Sequence, residues 1–304
     1  MFDLARLRVL AAVADQGTLA SAADALHLTP SAVSQQMSKL EREARCRLIE
    51  RHGRRVRLTE EGELLAKHAR RILGAVAEAE SDLDERRGQV LGELSVGAFP
   101  TAARGLLPGV LIAMAARYPQ LRITLQETDP YDAMAMVSRG DLDIVIAADW
   151  TIAPIVVPER MLTTDIGSDP ADLALPATHP LAARDRLLLE ELTEELWIAG
   201  MKGTICYDWL ARTLRAAGHE PRIAHQAAEF ATQLALVAAG LGLAVIPRLA
   251  HDHIPPGAIL VPVTPTISRR IFATWREETA RRPSIKAFLD TLREAWRLRG
   301  VQGP

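Results

Sequence analysis

Along the first 58 positions apolar residues recur at helical spacing, broken by short polar signals. Asp3 can cap a helix that turns Leu4, Leu7, Leu10 and Val13 toward a core, and Gly17 ends it. Thr18 then caps an alanine-rich helix over 19–26. Thr29 and Pro30 start the next one, the proline standing where its missing N–H costs nothing. In that helix, over 31–44, Val33, Met37, Leu40 and Ala44 form one buried stripe, while Ser31, Ser34, Gln35, Ser38 and Arg42 face elsewhere. The outer face is therefore polar, almost uncharged and built of short side chains. From Thr59 a capping Thr with Glu60 and Glu61 at the positive end of the helix dipole predicts a helix to about Arg87. Its Leu65, Ala69, Ile72, Val76, Ala79 and Leu83 alternate spacings of four and three, a heptad seam suited to a partner helix from a second copy. Packing on its own chain is the alternative.

After Gly92 the period changes. Strands are expected at 94–98, 121–126 and 143–147, with helices at 102–117 and 131–139 between them, a βαβαβ order that implies a parallel sheet covered by helices. A second set follows, with strands near 173–175, 197–198, 223–226 and 243–246 and helices near 204–217 and 230–239. A strand at 271–275 returns to the first set, ahead of a last helix near 284–297. Two α/β lobes crossed twice by the chain describe a hinged clamp, with a small ligand between the lobes. The expected division is 1–58, 59–88 and 92–304, the last made of one lobe at 92–162 with 268–304 and another at 163–267. The uncharged run at 230–247 approaches the length of a membrane span, but Thr232, Gln233, Gly240, Gly242 and Pro247 break it into a buried helix, a turn and a strand.

Charge changes the picture at the N-terminus. The whole chain of 304 residues carries a net −2, yet residues 1–58 carry +4 and the remainder −6. From Lys39 to Arg57 there are 8 basic and 3 acidic residues. His52 and Gly53 suit a hairpin tip, which would let Arg51, Arg54, Arg55 and Arg57 lie along phosphates or enter the minor groove. Two short helices joined by a turn, the second showing Ser and Gln outward, form a helix-turn-helix that reads the major groove. Gln pairs with adenine, and Ser donates or accepts at several base edges. A polar face alone would also fit an ordinary helical bundle; the basic run decides for DNA. The apolar run at 9–14 is too short for an export signal, and the lone pair of cysteines, Cys46 and Cys206, supplies no disulfide framework, so a reducing cytoplasm is expected.

The stretch TLASAADALHLTPSAVSQQMSKLERE followed by RLIERHGRRVRLTEEG resembles the N-terminal winged helix-turn-helix of the LysR-type transcriptional regulators. GELSVGAF, RYPQLRITL, GDLDIVI, HPLA and VAAGLGLAVIP are similar to landmarks of that family's co-inducer domain, so the resemblance spans essentially the whole chain. It implies a winged helix-turn-helix, a long dimerisation helix and a two-lobed α/β effector domain like those of periplasmic binding proteins. It also implies a homodimer or homotetramer on a double-stranded DNA operator, with a small molecule in the cleft changing DNA bending or RNA polymerase contact. The sequence departs from the family pattern at Pro30, where many members carry Gln, at Ala44-Arg45 in place of Leu-Gly, and at Ile49 in place of Phe.

Carried over by position, Ser31, Ser34, Gln35 and Ser38 are candidates to face bases, with Thr29, Lys39, Arg51, Arg54 and Arg55 at phosphates or in the wing, and Thr18 and Pro30 complete the candidate DNA-binding set. Thr101, at a helix start, and Thr128, Lys202, Gly203, Thr204 and Phe230 are candidates for the effector cleft; each is equally suited to a cap or to the core. Lys202 is the only charge in 197–207, which points to an anionic group on the effector. No cofactor is expected. An enzyme finds no Gly-rich loop, nucleophile motif or metal cluster here, and His251-Asp252-His253 beside Pro255-Pro256 fits a solvated loop. A redox-responsive regulator working through Cys206 is the further alternative, without a second cysteine in the same lobe.

Overall fold

The computed structural model describes residues 1–52, 55–192, 194–216, 218 and 220–301. The chain divides into two compact units, 1–88 and 89–304.

In the first unit, α1 (Leu4–Gln16), α2 (Leu19–Ala25) and α3 (Pro30–Ala44) precede a hairpin of β1 (Ile49–His52) and β2 (Arg55–Leu58), then α4 (Glu60–Arg87). Each cap expected from the sequence forms. The Asp3 carboxylate accepts from the amides of Ala5 and Arg6, and the Thr18 and Thr29 hydroxyls accept from Ser21 and Ala32. The core joins Leu7, Leu10 and Val13 of α1 to Val33, Met37 and Leu40 of α3, Leu48, and Ala66 and Ala69 of α4. The Glu41 carboxylate ties α3 to the hairpin by accepting from the Leu48 and Ile49 amides at 2.9 and 3.3 Å. Along α4 the seam divides: Leu65 and Ala69 pack into this core, whereas Ile72 and Leu83 are 39% and 56% exposed. The N-terminal part of the seam thus packs on its own chain, and Ile72 and Leu83 do not.

The second unit begins with β3 (Gly92–Ala98), α5 (Pro100–Gly105), α6 (Leu107–Arg117), β4 (Leu121–Glu127), α7 (Pro130–Arg139) and β5 (Ile144–Trp150). A single helix at 102–117 was expected, but the chain breaks at Leu106. Pro108 lacks an N–H, and its ring would meet the carbonyl one turn back. Strands β4, β3 and β5 are parallel, as the βαβαβ pattern requires. Strand β5 is buried throughout, with Ile144, Ile146 and Ala148 packed in one core and Val145, Ala147 and Trp150 in the other, the signature of a central strand covered on both faces.

Next come β6 (Met161–Pro176), β7 (Leu187–Leu188), β8 (Trp197–Ala199), α8 (Ile205–Ala216), β9 (Ile223–Gln226), α9 (Phe230–Ala238), β10 (Ala244–Pro247), β11 (Ala258–Arg276) and α10 (Pro283–Val301). The main sheet runs β10-β6-β11-β5-β3-β4, with β6, β10 and β11 antiparallel to their neighbours, so it is mixed. Position 162 falls at the start of β6 and position 268 inside β11. These strands pair from Met161 with Arg276 to Pro176 with Ala258, with breaks in register between Pro262 and Ile267 and between Ile271 and Phe272. Their polar residues, among them Thr163, Asp165, Ser168 and Asp169, hid the alternation that would have announced such length. The architecture is that of a winged helix-turn-helix followed by a two-lobed α/β module. Among the described residues no helix is long and apolar enough to cross a membrane; the uncharged run at 230–247 is α9, a turn and β10.

Candidate functional site

Two regions hold the chemistry, and each is built within its own unit. On α3 the buried stripe of Val33, Met37 and Leu40 fixes the helix against the core, and Ser31, Gln35, Ser38 and Lys39 are exposed on the opposite side. Ser34 is half-buried. Several of these groups already have local partners. The Thr29 and Ser31 hydroxyls lie 3.0 Å apart, Ser38 donates to the Ser34 carbonyl at 3.0 Å, and Thr18 donates to the Ser21 hydroxyl at 2.8 Å. The Gln35 amide makes no hydrogen bond among the described residues, so its donor and acceptor are both available. Pro30 is the first residue of α3. In the hairpin Glu50 faces Arg57 and Arg51 faces Val56. Arg51 and Arg55 are thus placed on its two strands, and Arg54 lies outside the described residues.

The departure at Arg45 has a structural consequence. This residue ends α3 in the left-handed conformation, φ 55°, where a side chain costs about 1 kcal/mol that glycine would not.

In the second unit a small pocket is walled by Trp150, Cys206, Trp209, Phe230, Gln233 and Val245. The Trp150 and Trp209 rings stack with centroids 4.2 Å apart and planes at 20°. Phe230 is the one expected effector residue that lines this pocket. Thr101, at the start of α5, is buried and accepts from the Arg269 guanidinium at 2.6 Å. Arg269 itself is buried, pairs with Asp169 at 2.7 Å and lies over the Phe99 ring at 4.7 Å. Asp169 accepts in addition from the Leu249 amide at 3.0 Å. Thr128 holds its amide on the Ala98 carbonyl at 3.0 Å. Lys202, Gly203 and Thr204 form the turn before α8. The Lys202 amide donates to the Gln226 side chain at 3.0 Å, and the Thr204 hydroxyl donates to the Met201 carbonyl at 2.7 Å. Lys202 is exposed on that turn.

Burial pushes the Cys206 thiol up, an effect that Arg269 offsets in part. Burial likewise raises the Asp129 carboxyl, and Asp132 and Asp208 add to the rise against the Tyr131 amide bond. The Tyr131 hydroxyl, raised by burial and by Asp208, donates to Asp208 at 3.4 Å and so links α7 to α8. Sequence reasoning missed Trp150, Asp169, Trp209, Gln233 and Arg269. Opposite charges set 100 residues apart inside strands give no local signal. Of the His251-Asp252-His253 run, the His251 ring meets the Ile246 carbonyl at 3.1 Å and Asp252 pairs with Arg104 at 3.2 Å.

Comparison with known proteins agrees with both units. Residues 4–63 match the model of bacterial regulatory helix-turn-helix proteins of the lysR family, and residues 87–297 match the LysR substrate binding domain. The HTH-type transcriptional regulator TtuA of Agrobacterium vitis is 32% identical over 265 residues, 86% of this chain and 85% of that protein. A hydrogen peroxide-inducible genes activator of Dickeya chrysanthemi is 28% identical over 295 residues, 96% of this chain and 95% of that one. A full-length OxyR variant from Pseudomonas aeruginosa shares the fold, with a TM-score of 0.71 at 24% identity over 96% of this chain and 95% of that one. The chain belongs to the LysR family of bacterial helix-turn-helix transcriptional regulators.

Proposed function

We propose that residues 1–58 read a double-stranded operator, that 59–88 pair with a second copy, and that 92–304 take up a small molecule between their lobes and transmit its arrival to the DNA. In this reading Ser31, Ser34, Gln35 and Ser38 meet base edges. Thr18, Thr29, Pro30, Lys39, Arg51, Arg54 and Arg55 follow the phosphates or form the wing. The protein works in the cytoplasm as a homodimer or homotetramer, acts on transcription through DNA bending or RNA polymerase contact, and catalyses no reaction. The observation that carries the reading is the polar, almost uncharged face of α3, with Gln35 unspent, followed by a strongly basic hairpin. The exposed Ile72 and Leu83 of α4 support pairing, because an apolar seam left in water is stabilised by a partner helix. Selection of genomic fragments by the full-length chain tests it. A shared two-fold symmetric site, bound more weakly as salt rises, is expected; equal binding to all fragments would overturn it.

A redox-responsive regulator is favoured by one observation, the place of Cys206 on the pocket wall, together with the name of the Dickeya relative. Its chemistry runs the other way. Burial pushes the thiol up, which disfavours the thiolate that peroxide oxidises, and Cys46 belongs to the other unit. Operator binding by the Cys206→Ala chain before and after peroxide separates the two readings; a peroxide response lost in that variant would favour the redox one.

A further inference from the structure

We propose that Arg42 and Arg45, at the C-terminal end of α3, grip the DNA phosphates on the rim of the major groove, beyond the bases that Gln35 and Ser38 face. The inference rests on the reading of the first unit as a DNA reader and adds to it two cations that the candidate DNA-binding set leaves out.

Three features carry it. The first is position. Ser31, Gln35, Ser38 and Arg42 follow one another at spacings of four, three and four residues, so Arg42 shares the polar face of α3, opposite the buried Val33, Met37 and Leu40. At the rise of an α-helix Arg42 stands about 10 Å along the axis from Gln35, close to the roughly 12 Å width of the major groove. A helix inclined across the groove with Gln35 on a base edge therefore brings this end to a phosphate strand. Arg45 closes α3 three residues later. The second feature is the path of the Arg42 side chain. Its Nε donates to the Ser38 carbonyl at 3.3 Å, which draws the guanidinium back along the same face. Both of its Nη nitrogens have no hydrogen-bond partner among the described residues.

The third feature is the local charge balance. Glu41 and Glu43, the acidic residues between Lys39 and Arg47, are both spent inside the unit. Glu41 accepts from the Leu48 and Ile49 amides, and Glu43 pairs with Arg6. Arg42 and Arg45 are exposed and stand in no ion pair among the described residues, so nothing there offsets their charge. Arg45 moreover keeps its side chain at φ 55°, where glycine would end the helix without a Cβ clash. A side chain kept where the backbone disfavours it points to a use for the group it carries. The helix dipole also favours cations at this end, and stability measured beside binding separates that effect from a DNA contact.

Operator affinity of the full-length chain over a salt series tests the proposal with two variants. Arg42→Gln keeps a donor for the Ser38 carbonyl, and Arg45→Gly relieves the backbone. Each should lower the salt slope by about one and weaken operator binding roughly fivefold at about 0.15 M salt. Base preference should stay unchanged, and Arg45→Gly should raise thermal stability while it weakens binding. Neutral methylphosphonates placed one at a time along the operator locate the contact. At one phosphate of each half-site the substitution should weaken the parent chain and leave the chain carrying both changes unaffected. An unchanged salt slope in both variants, an affinity loss that only follows lost stability, or the absence of such a phosphate would overturn the proposal. Unchanged operator binding with altered transcription by added RNA polymerase would assign these cations to a protein partner and overturn it too. The same salt series on a duplex without the operator keeps the two claims apart. A parent chain without base preference whose slope falls in the variants fails as an operator reader and keeps the phosphate contact. Base preference with unchanged slopes does the reverse.

Discussion

The outward residues of α3, Ser31, Gln35, Ser38 and Lys39, come from nine consecutive positions, whereas the pocket draws Trp150, Trp209, Phe230 and Gln233 from β5, α8 and α9. On α3 the functional groups point away from a buried stripe, so they can change without disturbing it. In the pocket Trp150 and Trp209 are part of the core itself, and elsewhere in the same unit Arg269, Asp169 and Thr101 hold one another in place. A surface reader can therefore separate binding from folding, and a cleft built inside a shared core cannot.

The largest effect should come from breaking that coupling. Asp169→Ala strands the buried Arg269 guanidinium and frees the Leu249 amide, and is expected to cost about 3–5 kcal/mol in urea unfolding of the full-length chain. Asp169→Ala combined with Arg269→Met should recover part of the loss. A small effect of the single change would mean that the cleft tolerates alteration as α3 does, and the contrast would fail.

On the other side of the comparison, Gln35→Ala should relax base preference by about 1–3 kcal/mol at one operator position while leaving stability unchanged. Lys39→Ala should weaken binding to all sequences alike and lower the salt slope by about one. Competition with operator variants at two salt concentrations reads both. Smaller still, Arg45→Gly should raise the unfolding free energy of the first unit by about 1 kcal/mol, because glycine takes φ 55° without a Cβ clash; thermal melting checks it.

The smallest effect concerns Asp129. Its carboxyl is raised in the folded chain by burial, so this group's contribution to stability is present in acid and is lost as pH rises through its folded value. Asp129→Asn, which can still cap α7 through the Tyr131 amide, should make the chain slightly more stable at neutral pH and flatten that part of its stability profile. An unchanged profile would show that Asp129 carries no such cost.

Much of the first unit was legible because its signals are local. A cap and the stripe it introduces lie within a turn or two of each other, and Thr29-Pro30 ahead of Val33, Met37 and Leu40 specifies α3 without reference to the rest of the chain. The strands β3, β4 and β5 were legible for the same reason, β4 as an apolar–polar alternation and β5 as a largely apolar stretch, each set between turn residues. The length of β6 and β11 was not. Thr163, Thr164 and Asp165 form a strand because Thr274, Ala273 and Phe272 pair with them, and more than a hundred positions separate the partners. Position by resemblance brought Phe230 to the pocket, yet it gave no sign of the Trp150–Trp209 stack or of Gln233, whose roles exist only once α8, α9 and β5 meet.

By itself, then, the sequence determined the helix-turn-helix with its polar face and basic wing, the order of strands and helices in the second unit, and the charge asymmetry between the two. Periodicity, capping and composition act over a few residues and need no partner to be read. Tertiary structure decided which charges are already neutralised and which polar atoms are left for a ligand. Whether Arg269 is a free anchor or half of a buried pair depends on Asp169 being brought to within 2.7 Å of it, and only the pairing of β6 with β11 does that.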